Sequence, residues 1–208
     1  MKKLLIISSL VLISKFSICQ DSLNKPIFLT GHYYLGINGP SFGNQEINET
    51  YYTQTGQLGL LIKSKKVHHE YFISYAYSSE FEFAPFVYSD TRKTFSLGYN
   101  FLITRNNPKK GTNHSWVGGF EIQRHKMIID DSYLEFYQPR IGALGAREIK
   151  NIREVKGNGL KFNIGYIFRF KIQDEQGIYL KFNYELGAIN AFTGFHIGIG
   201  CDLVKLNK

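Results

Sequence analysis

The chain has 208 residues, a formal net charge of +8 and 15% aromatic residues, with 14 Tyr and 17 Phe against one Trp. That length suits one domain. Past the N-terminus no stretch approaches the roughly 18 uninterrupted apolar residues of a membrane helix, and the two cysteines, Cys19 and Cys201, supply no thiol cluster for a metal.

The chain begins with a basic Met1-Lys2-Lys3, followed by an apolar Leu4–Ser14 segment too short to span a bilayer. Ser17-Ile18-Cys19 then places small residues at the −3 and −1 positions of a cleavage site before Gln20. This pattern predicts a secretory signal peptide over 1–19, cleaved after Cys19, and a mature domain over 20–208. A lipidated Cys19 is the alternative; the bulky Ile18 before it argues against that. For an exported chain, basic character points to anionic lipid head groups and not to nucleic acid.

The mature chain alternates apolar and polar residues with a period of two, the signature of β-strands. The first run, Ile27 to Ile37, sets Leu29, Tyr33, Leu35 and Ile37 against Thr30, His32 and Tyr34. Asn38-Gly39-Pro40 ends it. Tyr52 to Lys63 opposes Leu58, Leu60 and Ile62 to Thr53, Thr55, Gln57 and Gly59. His69 to Ser78 opposes Tyr71, Ile73, Tyr75 and Tyr77 to Phe72, Ser74 and Ala76. Arg92 to Thr104 opposes Phe95, Leu97, Tyr99, Phe101 and Ile103 to Ser96, Gly98, Asn100 and Leu102. His114 to His125 opposes Trp116, Phe120 and Ile122 to Gly119, Glu121, Gln123 and His125.

A stretch dense in mixed charge, 126–158, reads as the longest irregular segment. The clearest runs follow. Leu160, Phe162, Ile164, Tyr166, Phe168, Phe170 and Ile172 share one parity; Lys161, Asn163, Gly165, Arg169 and Lys171 share the other, with Ile167 intruding. Ile178 to Leu186 alternates against Lys181, Asn183 and Glu185, and Phe195 to Leu203 against His196, Gly198, Gly200 and Asp202.

Alternation alone does not say which face is wet. A soluble barrel turns its apolar parity inward; a membrane barrel turns it toward lipid. Length separates the two. Leu160 to Ile172 spans roughly 43 Å at about 3.3 Å per residue, enough to cross about 30 Å of hydrocarbon at a steep tilt. Links alternate long (38–50, 79–91, 126–158) and short (64–68, 105–113, 174–177), the asymmetry of an outer-membrane barrel. The expected fold is therefore all-β: a closed, up-and-down, antiparallel transmembrane β-barrel of eight strands. Ten are possible if 132–140 and 81–88 each add one.

This pattern resembles the small bacterial outer-membrane β-barrel proteins of the OmpA/OmpX type, particularly the Tyr- and Phe-rich versions common in Bacteroidota. In that family the last strand carries an assembly signal, and His196, Gly198, Cys201 and Leu203 stand at its positions. The resemblance implies an integral outer-membrane protein with a structural or surface-interaction role and at most minor solute passage, in contact with outer-membrane lipid and with the barrel-assembly machinery during insertion.

Candidate chemistry is sparse. Gly39-Pro40-Ser41-Phe42-Gly43 matches a nucleophile elbow, but no helical pattern follows it. His68-His69-Glu70 reads as a solvated turn, since adjacent histidines on a strand face apart. No catalytic, cofactor or metal residues are assigned. The best constellation is an inward polar cluster: Glu121, Lys161, Asn163, Arg169, Lys171, Lys181, Asn183, Glu185, His196 and Asp202. It reads either as an anion-attracting channel or as a paired interior that stiffens the barrel. The 126–158 loop is the expected contact surface for a partner or surface glycan. Two other readings stay open: a soluble periplasmic or secreted barrel binding an apolar ligand, and a lipid-modifying outer-membrane enzyme.

Overall fold

The computed structural model describes residues 25–39, 50–64, 67–80, 90–107, 112–140, 143–173 and 176–206. The expected signal peptide, the 81–88 segment and, apart from Gly39, the Gly39–Gly43 motif lie outside the described residues. The strands are β1 (Ile27–Gly39), β2 (Tyr51–Ile62), β3 (Val67–Glu80), β4 (Thr91–Asn107), β5 (Thr112–Asp130), β6 (Tyr133–Arg140), β7 (Ala143–Ile149), β8 (Ile152–Gln173), β9 (Gln176–Ile189) and β10 (Thr193–Lys205).

Eight of them close a barrel in the order β1-β10-β9-β8-β5-β4-β3-β2. Every ladder in it is antiparallel. Closure between β1 and β10 leaves the barrel no open edge, so each strand's backbone groups are paired on both sides. The ten-stranded alternative is thereby corrected. The 133–140 segment is a strand, but it pairs with β7 in a separate two-stranded sheet and does not enter the barrel wall.

The 126–158 stretch is corrected as well. It is not irregular: β5 and β8 stay paired from Thr112–Phe170 to Asp130–Ile152. Nineteen residues of β5 rise about 65 Å at 3.4 Å each, more than a tilted strand needs to cross the hydrocarbon. The ribbon therefore projects beyond the barrel and carries the β6–β7 hairpin at its tip. Asp131 donates its backbone N–H to Asn151 O at 3.0 Å, and Arg147 pairs with Glu135 across the hairpin at 2.6 Å.

The parity of each strand decides its two faces. Leu97, Ile122, Ile164, Ile199 and Trp116 point outward, each more than half exposed. Asn100, Glu70, Lys181 and His196 are buried inside. A soluble barrel built around an apolar centre has the opposite arrangement. Near the short-turn end, aromatic rings pack on the exterior: Trp116 meets Tyr166 edge-on at 4.8 Å, and Tyr166 meets Phe168 at 4.9 Å. Such rings suit the polar–apolar boundary of a bilayer, with an apolar body and a polar tip.

Candidate functional site: a filled polar lumen

The inward parity of an eight-stranded barrel must fill a narrow axis with side chains. Here three carboxylate-centred groups and two apolar stoppers fill it.

At the short-turn end, Phe28, Leu61, Leu102, Val117, Ile167 and Tyr179 form one buried apolar cluster. Ile167, the intruder of its parity, is part of this stopper. At its turnward edge Asp202, brought in by β10, accepts from Lys63 Nζ at 3.0 Å and from the Gly177 backbone N–H at 3.1 Å. The Arg169 guanidinium and the Tyr179 hydroxyl also donate to Asp202. Lys63 lies over the Phe28 ring at 3.5 Å, so its charge meets both an anion and a π-face.

The middle group centres on Glu70 of β3. Its Oε1 accepts from His32 Nε2 at 3.0 Å and Thr30 Oγ1 at 3.3 Å; its Oε2 accepts from Asn100 Nδ2 at 2.9 Å. Lys181 donates to the Tyr34 hydroxyl at 3.1 Å, and the Tyr34 ring lies parallel to His32 at 5.8 Å. Glu70 corrects the reading of His68-His69-Glu70 as a solvated turn. The three residues lie inside β3, and Glu70 shares parity with Phe72 and Ser74. The histidines are engaged separately, His68 Nδ1 with the Ser64 N–H at 3.0 Å and His69 with the Tyr99 hydroxyl at 2.7 Å.

The third group joins β5, β8, β9, β10, β1 and β2. Lys161 Nζ lies 2.6 Å from Glu185 and 3.1 Å from Glu121. Asn163 donates to Glu121 at 3.1 Å and Asn183 to Glu185 at 3.3 Å. His196 Nε2 meets Asn38 Oδ1 at 2.7 Å, and Asn38 donates onward to Thr53 at 2.8 Å. His196 fits because residue 36, on the facing strand, is glycine: a Cβ there would overlap the imidazole. Gly198 serves Tyr34 in the same way.

The long-loop end is closed by the β9–β10 turn. Asn190 takes a left-handed φ of 43°, a conformation Asn tolerates, and the chain folds inward so that Ala191 and Phe192 are buried. Phe192 stacks on Tyr51 at 4.8 Å beside Met127. The Arg92 guanidinium covers Phe192 at 4.1 Å and donates to Asn190 O at 3.1 Å. Between this stopper and the Lys161 group remains a cavity of about 20 Å³, room for little more than one water molecule.

Of the ten lumen residues read from parity, nine meet in these groups. Lys171 does not: it is exposed near the end of β8, past the Asp202 group. Parity also pointed to Glu70, Tyr34, His32 and Asn100, which the sequence reading left outside the cluster. Lys63 and Arg92 stand at strand ends, where alternation fades. Among the described residues the buried carboxylates Glu70, Glu121, Glu185 and Asp202 lie among the buried or largely buried cations Lys63, Lys161, Arg169 and Lys181, four charges against four, while Arg92 sits apart at the Phe192 stopper. Of the assembly-signal positions, His196 and Gly198 face inward, Cys201 is half-buried and Leu203 is exposed on the outer surface at a bulge of the β1–β10 ladder. Among the described residues no group of three metal-ligating side chains converges.

No family model and no curated protein matches the chain. Solved structures do. Neisserial surface protein A is similar at a TM-score of 0.53 and 8% identity, over 84% of this chain and 94% of that one. Ail, the attachment invasion locus protein of Yersinia pestis, aligns over 85% and 97% with a TM-score of 0.42 and 11% identity. The N-terminal β-barrel domain of Pseudomonas aeruginosa OprF aligns over 82% and 96% with a TM-score of 0.35 and 10% identity. At such identities the likeness is one of architecture, and it rests on the first of these structures together with the closed ladder and the inside-out polarity. By fold, this chain is a small, closed, eight-stranded antiparallel β-barrel of outer-membrane type.

Proposed function

We propose that this protein is exported by its N-terminal signal, inserted into the outer membrane by the barrel-assembly machinery, and works there as a non-conducting anchor that holds the β5–β8 ribbon and the β6–β7 hairpin outside the cell. The single observation that carries the reading is the filled axis: three ion-pair groups and two apolar stoppers inside a barrel whose exterior is apolar. A pore needs a continuous wet path, and paired buried charges do not supply one. An integral barrel without a pore has its working surface on its projections. The hairpin presents Tyr133, Leu134, Phe136 and Tyr137 at about half exposure or more, beyond the hydrocarbon, where apolar side chains mark contact surfaces. That makes the 126–158 ribbon the surface for a protein or glycan partner. Among the described residues no constellation favours the lipid-modifying enzyme.

Two measurements test this. Cysteines at Phe168 and Arg169 are probed in intact outer membranes with a water-soluble maleimide. The expected result is no labelling at either position, since one side chain faces acyl chains and the other is packed against Asp202. Reconstitution in planar bilayers should give no discrete conductance. Steady ion-selective channels from the wild-type protein, or ready labelling of Arg169→Cys, would defeat the anchor reading.

A further inference from the structure

One part of the barrel exterior breaks its apolar rule. The register sets Lys93 of β4 opposite Lys126 of β5, and Lys126 opposite Lys156 of β8. All three carry the outward parity of Phe95, Ile122 and Leu160, and all three are exposed. Arg124, two residues nearer the short-turn end on β5, also points outward between Phe95 and Asn158. Three lysines abreast on strands about 4.8 Å apart span roughly 10 Å, and like charges directly opposite one another repel.

A single carboxylate offsets them. Glu154 reaches Lys126 at 2.6 Å and Lys156 at 2.7 Å and so holds both ammonium groups in place. Lys93 and Arg124 have no ion pair among the described residues. The neighbouring acid Asp130 stands four residues further out on β5, where it accepts the Ser132 N–H at 3.1 Å. Four cations against Glu154 leave three positive charges unmatched on one face of β4, β5 and β8. On the opposite wall the same end of the barrel shows Ile37 and Phe195.

The height of the patch is as informative as its charge. Toward the short-turn end the next outward positions are Leu97 and Ile122, each 56% exposed; beyond the patch the ribbon leaves the barrel. The cluster therefore sits where the apolar belt stops, at the long-loop end. We propose that Lys93, Arg124, Lys126 and Lys156 form a binding site for a phosphate-bearing lipid headgroup of the outer leaflet. A phosphate monoester suits it: close to two negative charges and three acceptor oxygens meet several N–H donors. A zwitterionic headgroup brings its own ammonium group and suits it less. The acyl chains then lie on the apolar wall directly below. The site rests on the reading of the long-loop end as external, and its occupant is the lipid, not free phosphate.

The test uses the full mature chain refolded into phosphatidylcholine nanodiscs containing diphosphoryl lipid A or the same lipid with both phosphates removed. Co-retained lipid is counted by native mass spectrometry. The phosphorylated lipid should be retained selectively. Lys93→Gln/Arg124→Gln, which removes no ion pair seen within the described residues, should weaken retention on the order of twentyfold, taking about fivefold per charge at a membrane surface. Lys171→Gln at the opposite end should not change it. Equal retention of the two lipids, or undiminished retention by the double variant, overturns the site. Complete displacement by millimolar inorganic phosphate overturns the lipid as occupant. A wild-type chain that never reaches a heat-modifiable folded form in nanodiscs defeats the barrel reading itself, a different outcome from either.

Discussion

Lys161 is the side chain on which the closed lumen most depends, and removing its charge tests the paired-interior argument directly. Its ammonium lies 2.6 Å from Glu185 and 3.1 Å from Glu121, and all three side chains are at most 11% exposed. At an effective dielectric of about 20, each contact is worth roughly 5–6 kcal/mol of attraction before desolvation. Lys161→Met keeps the volume of the chain and leaves two carboxylates facing each other without the ammonium that bridges them. Breaking a buried pair in this way costs about 3–5 kcal/mol. The triple variant Lys161→Met/Glu121→Gln/Glu185→Gln removes the stranded charges and should recover most of that loss, because the neutral groups still find Asn163 and Asn183. The assay is reversible denaturant unfolding in lipid vesicles, followed by Trp116 emission and by heat-modifiable gel migration. A loss below about 1 kcal/mol for the single change, or a triple variant no more stable than the single, refutes the claim that the lumen is held by mutual compensation.

The single tryptophan gives a second test. Trp116 is 64% exposed on the outward face beside Tyr166, so phospholipids brominated near the headgroup should quench its emission more strongly than those brominated at the chain ends; no quenching by either would contradict the outward parity. Gly198→Ala puts a Cβ into the Tyr34 ring, and overpacking of this kind costs about 1–3 kcal/mol. Its unfolding midpoint should fall, and an unchanged midpoint would show that Tyr34 is not held there. Hydrogen bonds from Lys126 and Lys156 lower the Glu154 carboxyl to about 2. A depressed carboxylate keeps its charge as pH falls, so the trio should stay ionised at pH 4, with Glu154 taking up a proton only near pH 2. Carboxyl-carbon NMR of labelled Glu154 reads this. The midpoint should rise in Lys126→Gln/Lys156→Gln, and a wild-type midpoint of about 4.3, the free-glutamate value, would dismiss the pairing.

Much of the fold was legible residue by residue because a strand's two faces are a local property. Leu160 to Ile172 announces its lipid face whatever it pairs with, and the eight barrel runs needed only alternation and length to find. Legibility failed where a segment obeys two rules at once. Residues 126–158 alternate weakly because both faces of the ribbon meet water beyond the bilayer, so charge density masked a continuous ladder. Glu70 was lost although it falls inside the 69–78 run: His68-His69-Glu70 was read as a turn, and the β3 ladder in fact starts at Val67, two residues before that run, which makes Glu70 an inward position like Phe72.

What the sequence by itself determined was the polarity of the barrel: which side chains face lipid and which face the axis. Which charge meets which was decided only by the tertiary structure. Lys63 finds Asp202 across 139 residues of chain, Lys161 sits between two glutamates from different strands, and Lys93, Lys126 and Lys156 fall abreast. The physical reason is that parity is fixed by the pleat of one strand, whereas register and closure are fixed jointly by all eight ladders. No single strand carries enough information to place a neighbour's charge beside its own.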